Sequence, residues 1–319
     1  MKLSIVVIGR NEAANLERAL HSAAVAIGRL GAEYADSELL YVDAGSTDAS
    51  AEIARRNPSV RLLELDAATA AQARNAGIRE TSGELVQLLD GDMELDAAWL
   101  AAGLARLTAT GAAACAGSLV ERGAGREFWN TTFGNDWARR EGPVDVLGGA
   151  ALWRRSALEW LGGFDERLPV GEDPDLALRA RNAGFELQQL EQVMATHDLG
   201  LDGPVAWWRR GLSVGRSRVI VTLLHGDRPE VRRALFAPIT ALFALVVLLV
   251  GGLAFHALLL VIAACAALGL LARHVLRSVR SGLDLGSALV HGVHVYAVKL
   301  PIALGAIGAL STSDGGIQR

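Results

Sequence analysis

Cysteine is nearly absent: the 319-residue chain has two, Cys115 and Cys265. They form neither a zinc-ligand spacing nor a disulfide framework, so metal-stapled and disulfide-dense folds are excluded. Excess positive charge is also missing. The formal net charge is −4, which gives no electrostatic footprint for nucleic acid. No apolar leader opens the chain. LSIVVIG (3–9) is too short for a signal core and RNE follows at once, so the N-terminal part is expected to remain cytoplasmic. The last absence is local: no Asp, Glu, Lys or Arg occurs from 235 to 272.

What is present before Ala234 reads as a globular enzyme. LSIVVIG (3–9), ELLYVDAG (38–45), VRLLEL (60–65) and ELVQLLD (84–90) are short, apolar and rich in β-branched residues or leucine, the pattern of buried strands. Helical patterns separate them at 11–30, 46–56 and 70–82. In the first, Leu16, Ala19, Leu20, Ala23 and Ile27 fall on one face. Strands alternating with helices predict a mostly parallel α/β sheet covered on both faces. Residues 97–111, 156–166 and 173–187 read as further helices, and 112–121 and 144–155 as strands, with another after 187. The polar, aromatic stretch 125–142 is expected to be a mobile loop.

From 235 onward the chain suits a membrane. One helix over 235–272 would be about 57 Å long against a hydrocarbon core of about 30 Å. A break at GGLAFH (251–256) makes two spans and a hairpin. Arg228, Arg232 and Arg233 precede it, and Arg273, Arg277 and Arg280 follow. The positive-inside rule places both flanks in the cytoplasm. A third span is expected at 287–310, interrupted by His291, His294, Lys299 and Pro301. PVAWWRRGLSVGRSRVIVTLLHG (204–226) suits a helix at the membrane surface. The expected organisation is a catalytic domain over 1–203, a juxtamembrane segment over 204–234, a membrane region over 235–310 and a tail over 311–319.

The chemically interesting residues stand where strands end. Arg10, Asn11 and Glu12 follow the first strand, Asp43 the second, and Asp90 and Asp92 the fourth. Such sheets bind ligands at the carboxyl ends of their strands. Asp-Gly-Asp (90–92) alone is an ordinary turn or a divalent-cation site, since two close carboxylates repel and are costly to desolvate. Asp43 alone is equally a turn residue or a cap for the helix that follows.

Four motifs occur together: SIVVIGRNEAANLERAL, YVDAGSTDAS, AQARNAGIRETSGELVQLLDGD and GGFDERLPVGEDPDLALRARNAGFEL. In this order they resemble the large inverting family of nucleotide-sugar glycosyltransferases with the GT-A fold, the family 2 type, over about residues 3–200. The resemblance implies a nucleotide-sugar donor, a UDP- or GDP-sugar, and Mn2+ or Mg2+. It implies that Asp43 holds the base or ribose, that Arg74 lies near the nucleotide, and that Asp90 and Asp92 form the metal-binding pair with Asp92 the direct ligand. Asp173 matches the catalytic base beside Glu172, Asp175 and Arg179 orient the site, and His197 falls where a further metal or diphosphate contact is placed. Arg10 and Glu12 stand at the nucleotide side, with Arg10 where the family has a tyrosine; a guanidinium can stack on a base as well. WWRRG (207–211), with Trp208 and Arg209, loosely resembles an acceptor-side segment of processive synthases, and the Trp207–Trp208 pair equally suits an interfacial anchor.

The required chemistry matches these residue types. A hard cation on carboxylates neutralises charge developing on a diphosphate leaving group, and a carboxylate takes the proton of an acceptor hydroxyl. The helix is expected to begin near Pro174 with Asp173 as N-cap, where the dipole would keep it ionised. The function expected is transfer of a sugar to a lipid-linked or membrane-proximal acceptor at the cell inner membrane, in cell-envelope or exopolysaccharide glycan synthesis. Two alternatives are a sugar nucleotidyltransferase, for which GRNEAANLE lacks the Gly-rich basic phosphate loop, and an inactive membrane scaffold, which would not need Asp43, Asp90, Asp92 and Asp173.

Overall fold

The computed structural model describes residues 2–122, 129, 141–254, 257–280 and 282–311. The expected mobile loop at 125–142, the end of the hairpin break at Phe255–His256 and the tail at 312–319 lie almost wholly outside these residues. The described chain divides into two compact units, one holding residues 2–122 and 141–199, the other residue 129 and residues 200–311.

The first unit is a mixed sheet with helices. Strands β1 (Leu3–Gly9), β2 (Glu38–Asp43), β3 (Arg61–Glu64) and β4 (Leu85–Asp90) are parallel, in the order β3-β2-β1-β4. Their apolar runs are buried almost without interruption, as expected of strands covered on both faces. Helices α1 (Leu16–Gly28), α2 (Ser50–Arg55) and α3 (Ala70–Glu80) connect them. Next to β4 the sheet changes sense. β5 (Met93–Leu95), α4 (Trp99–Thr110), β6 (Ala114–Glu121), β7 (Gly142–Pro143), β8 (Ala151–Arg154), α5 (Arg155–Leu161), α6 (Glu172–Asn182) and β9 (Leu187–His197) complete the unit. β8 is antiparallel to β4 and β6, β9 is parallel to β6, and β5 and β7 are antiparallel to β9. The sheet is therefore parallel in its first half and mixed in its second.

Three differences from the sequence pattern have local causes. Residues 11–15 do not join the first helix. Asn11 has φ 61°, and its loop amides are taken by side chains: Ser46 Oγ accepts from Asn11, Ser50 Oγ from Glu12, and Asp48 from Ala13. Side chains of this kind compete with helical bonding. The next helix starts at Ser50 rather than 46, because Asp43 and Asp48 bind the amides of Ser46 and Ser50. Of 144–155 only Ala151–Arg154 pairs as strand, after Gly148 and Gly149.

The second unit is helical: α7 (Pro204–His225), α8 (Pro229–Ala254), α9 (Ala257–Arg280), α10 (Leu285–Ala297) and α11 (Lys299–Leu310). α7 buries Trp207, Gly211, Gly215, Val219 and Ile220, while Val205 and Leu223 are exposed. Its glycines admit α11 closely: a Cβ on Gly211 would meet Pro301, and one on Gly215 would meet the backbone of Ile302. Pro229–Leu248 and Leu285–Leu310 are long and apolar enough to cross a membrane, by length and composition. The second stretch passes through Val298, which joins α10 to α11.

Gly77 sets the seat of α3 on the sheet. A Cβ there would collide with Val6 Cγ1 and press on Val42. Gly77→Ala is expected to destabilise the protein by about 1–3 kcal/mol, the usual cost of overpacking, read as a lower Tm of the purified full chain. An unchanged Tm would mean that α3 does not sit this tightly on β1.

Candidate active site

The β1 and β2 loops are held together by polar side chains. Asn11 Oδ1 accepts from the Thr47 amide at 2.8 Å. Asp43 is 3% exposed. Its Oδ2 accepts from the Ser46 amide at 2.9 Å, and its Oδ1 from Ser46 Oγ at 2.5 Å and Tyr41 OH at 3.1 Å. The carboxylate thereby shapes the 43–46 turn. Arg10 is exposed on the same loop.

Acidic groups converge at the end of β4. Asp90 ends the strand and Asp92 follows Gly91. β5 then turns back along β9, so that Met93 pairs with His197 and the Asp198 amide donates to the Asp92 carbonyl. That pairing brings His197 Nε2 to 3.2 Å from Asp92 Oδ2. On the other side of the ring, Nδ1 lies 3.5 Å from Oε2 of Glu121, whose side chain is fully buried. Burial pulls the His197 pKa down, but hydrogen bonds to Asp92 and Glu121 outweigh it and raise it to about 9. Glu12 is raised as well: burial and the charge of Asp92 push its carboxyl up to about 7. Asp92 Oδ1 is buried and has no hydrogen-bond partner.

A second acidic group comes from α6. The helix begins at Glu172, after Gly171 with φ 88°, and not near Pro174. Asp173 is therefore the second residue of the first turn rather than the N-cap. The left-handed Gly171 lets the chain enter one residue-pair earlier, and Pro174 still fits because first-turn amides need no helical partner. Both acids face Arg74 on α3. Arg74 Nη1 donates to Glu172 at 2.9 Å and to Asp173 at 3.0 Å, and Nη2 donates to Asp90 at 2.8 Å. The guanidinium is 4% exposed. Through Nη1 and Nη2 Arg74 ties the end of β4 to the start of α6, while its buried Nε has no hydrogen-bond partner. Burial would lower its pKa, but Asp173, Asp90 and Glu172 raise it further. Asp173 is pushed up to about 7, mainly by burial, with Arg74 opposing and Glu172 and Asp90 adding to the rise. The helix dipole does not keep it below the ordinary carboxylate range.

The loop before α6 is clamped from both sides. Asn75 Nδ2 donates to the Phe164 carbonyl at 2.8 Å, and Asn75 Oδ1 accepts from the Phe164 amide at 2.9 Å. Arg179 donates to Asp175 and to the carbonyls of Leu161 and Gly163, each at 2.8 Å. Asp175 is 3% exposed. Arg179 and Asp175 thus orient the loop that delivers Glu172 and Asp173.

Arg74, Asp90, Asp92, Glu12, Glu172, Asp173 and His197 come together within the first unit, whereas Trp208 and Arg209 belong to α7 of the second. Three contributors escape a sequence reading. Glu121 is one acid at the end of a strand pattern. Gly149 donates its amide to Asp173, and a Cβ there would strike Arg74. Asn75 follows Arg74 and carries no chemical signature of its own. The doublet Gly148-Gly149 was the available signal for close backbone approach.

Among the described residues no three His, Cys, Asp or Glu side chains stand at ligand spacing for a metal. The donors nonetheless fit a hard cation: Asp92 leaves a buried oxygen unpartnered, and the carboxylates around it already raise Glu12.

Comparison with known proteins agrees with this geometry. Residues 4–160 match the model of "Glycosyl transferase family 2". Glycosyltransferase AglE of Haloferax volcanii is 27% identical over 241 residues, covering 72% of this chain and 77% of that protein. The mannosyltransferase PcManGT from Pyrobaculum calidifontis, solved in complex with GDP-Man and Mn2+, superposes with a TM-score of 0.66 at 20% identity, covering 96% of this chain and 86% of that one. S. aureus TarS 1-349, solved with UDP-GlcNAc, has a TM-score of 0.51 at 17% identity, covering 69% and 67%. The two structures share the fold.

Arg74→Leu removes a buried cation that faces three carboxylates. It is expected to destabilise the protein by about 3–5 kcal/mol near neutral pH. Acid protonates the carboxylates and removes their need for Arg74, so the gap from wild type narrows as pH falls. Unfolding of both proteins across pH 5–8 tests this, and a gap that widens in acid contradicts it.

Proposed function

We propose that this chain, which carries a glycosyltransferase family 2 domain, is an inverting, metal-dependent transferase that moves a sugar from a nucleotide-sugar donor to an acceptor hydroxyl or phosphate. The observation that carries the proposal is the Arg74 hub, which joins the strand-end acid Asp90 to Asp173 at the head of α6. A donor-side acid and a proton acceptor are thereby held by one side chain.

In this reading Asp92 would hold Mn2+ or Mg2+, with Asp90 and His197 in support. When bound, the cation supplies positive charge for the departing diphosphate. Asp43 and the 43–46 turn shape the nucleotide side, with Arg10 and Glu12 beside it. Asp173 takes the proton of the acceptor as its oxygen attacks the anomeric carbon. It suits that task better than Glu172: its side chain is 25% exposed against 13%, and its pKa lies near neutrality. A single displacement inverts the anomeric centre without a covalent enzyme intermediate. PcManGT with GDP-Man and TarS with UDP-GlcNAc support a GDP- or UDP-sugar as donor.

The two apolar stretches support anchoring in the cell inner membrane, with the catalytic unit cytoplasmic. Arginines at the start of α8 and the end of α9 support a hairpin whose ends share one side. A membrane-bound transferase is suited to a lipid-linked or membrane-proximal acceptor, in cell-envelope glycan synthesis.

Asp173→Asn keeps the shape and removes the proton acceptor, so turnover is expected to fall by about 10²–10⁴-fold with donor affinity little changed. In the wild type, a base with a pKa of about 7 is protonated below that pH, so the rate should decline as pH falls through it. Steady-state transfer and donor titration check both. Near-normal turnover in Asp173→Asn, with loss in Glu172→Gln, would exchange the two roles.

A further inference from the structure

Glu121 is a buried acid that no step of the proposed transfer uses. It ends β6, and its side chain is fully buried. Oε1 accepts from the Leu199 amide at 3.0 Å. Oε2 is buried too, and faces the His197 ring with Nδ1 3.5 Å away, the outer limit of a hydrogen bond. Burying an ion is costly. A glutamine would satisfy the Leu199 amide equally well, so the negative charge at 121 is explained by the ring and not by the amide.

The sheet puts these groups in register. Glu121 on β6 pairs with His197 on β9, whose other neighbour is Met93 on β5, the residue after Asp92. Register partners project their side chains from one face of a sheet. The main chain around the ring is fixed on both sides: the Arg122 amide donates to the His197 carbonyl at 2.8 Å, and the Asp198 amide to the Asp92 carbonyl at 3.0 Å. His197 is 6% exposed. Its ring is thus held between two carboxylates, with Nε2 3.2 Å from Asp92 Oδ2 and Nδ1 towards Glu121. The nitrogen that keeps its hydrogen decides which one can ligate. With the Nδ1 hydrogen directed at Glu121, Nε2 is the nitrogen whose lone pair can go to a cation, which there replaces a hydrogen.

We propose that Glu121 is a positioning residue for the cation site: it accepts the Nδ1 hydrogen of His197 and so assigns Nε2, beside Asp92, to a divalent cation. This rests on the reading that Asp92 and His197 hold Mn2+ or Mg2+, and adds the residue that sets which nitrogen of His197 meets that ion.

Mn2+ alone is titrated into the full chain in phosphatidylcholine nanodiscs, and free Mn2+ is read from its electron paramagnetic resonance signal. Glu121→Gln keeps the size and the acceptor for the Leu199 amide. Its NH₂ group turns a donor towards Nδ1, which favours hydrogen on Nε2 instead. Mn2+ affinity is expected to fall by about 10–100-fold, the usual cost of losing such a partner. In a His197→Ala background the same substitution should change affinity by less than about threefold, because Glu121 acts through the ring. Electron spin-echo modulation of bound Mn2+ should show an imidazole nitrogen in the wild type and lose it in Glu121→Gln. An equal loss of affinity in both backgrounds would mean that Glu121 acts through its charge or through folding, and overturns the proposal. Wild-type affinity in Glu121→Gln overturns it as well. So does bound Mn2+ without an imidazole nitrogen in the wild type, a result that requires no Glu121 variant to fold. Asp92→Asn separates the underlying reading. Mn2+ binding that is absent in the wild type, or undiminished in Asp92→Asn, removes the metal reading and this role with it. Loss in Asp92→Asn with wild-type affinity in Glu121→Gln removes the role of Glu121 alone.

Discussion

One buried guanidinium facing three carboxylates constrains the catalytic unit. Arg74 supplies one positive charge to Asp90, Glu172 and Asp173. The surplus negative charge has to be carried by protons or by another cation, because uncompensated buried charge is too costly. Protons carry part of it: Asp173 and Glu12 are both raised to about 7 and His197 to about 9. Asp92 Oδ1, buried and unpartnered, is where a further cation has a reason to bind. The same charge surplus thus raises Asp173 to near neutrality and leaves a carboxylate oxygen that fits a cation.

The fold exists around that constraint. Parallel β1, β2 and β4 end their runs at one edge and deliver Arg10–Glu12, Asp43 and Asp90 there. The change to antiparallel pairing brings β8 beside β4, and the chain preceding β8 places Gly149 against Asp173 and Arg74. β5, three residues long, pairs with the end of β9 and sets His197 against Asp92. Asn75 and Arg179 fix the intervening loop through backbone groups, so Glu172 and Asp173 reach Arg74 from a rigid support.

Much of this was legible in the sequence, for identifiable reasons. The four parallel strands are apolar runs buried on both faces, and their ends carried the acids in plain view. The ordered motifs brought Asp90, Asp92 and Asp173 together by resemblance before any geometry was known. The second half of the sheet was less legible. β5 and β7 have three and two residues, too short for a period to show, and their pairing with β9 is non-local. Helix starts at 11 and 46 failed because Asn11, Ser46, Asp48 and Ser50 bind neighbouring amides, a competition invisible to hydrophobic periodicity. Arg74 was recognised as a site residue, but its partners lie 16, 98 and 99 residues away in sequence, so its role as a hub emerged only in three dimensions. Asp173 was expected to be ionised at a helix N-terminus, and burial beside Glu172 overrides the dipole.

The central claim is that the charges around Arg74 are coupled and together set the protonation of Asp173. The direct measurement is the acidic limb of the pH–rate profile for sugar transfer in wild type and in Glu172→Gln. Removing Glu172 takes away a negative neighbour that raises Asp173 and leaves Arg74 more fully to Asp173. The limb, near pH 7 in the wild type, should move to lower pH, so that the variant keeps relatively more of its maximal rate in acid. A limb at the same pH in both proteins would show that Arg74 does not couple these acids and would contradict the account.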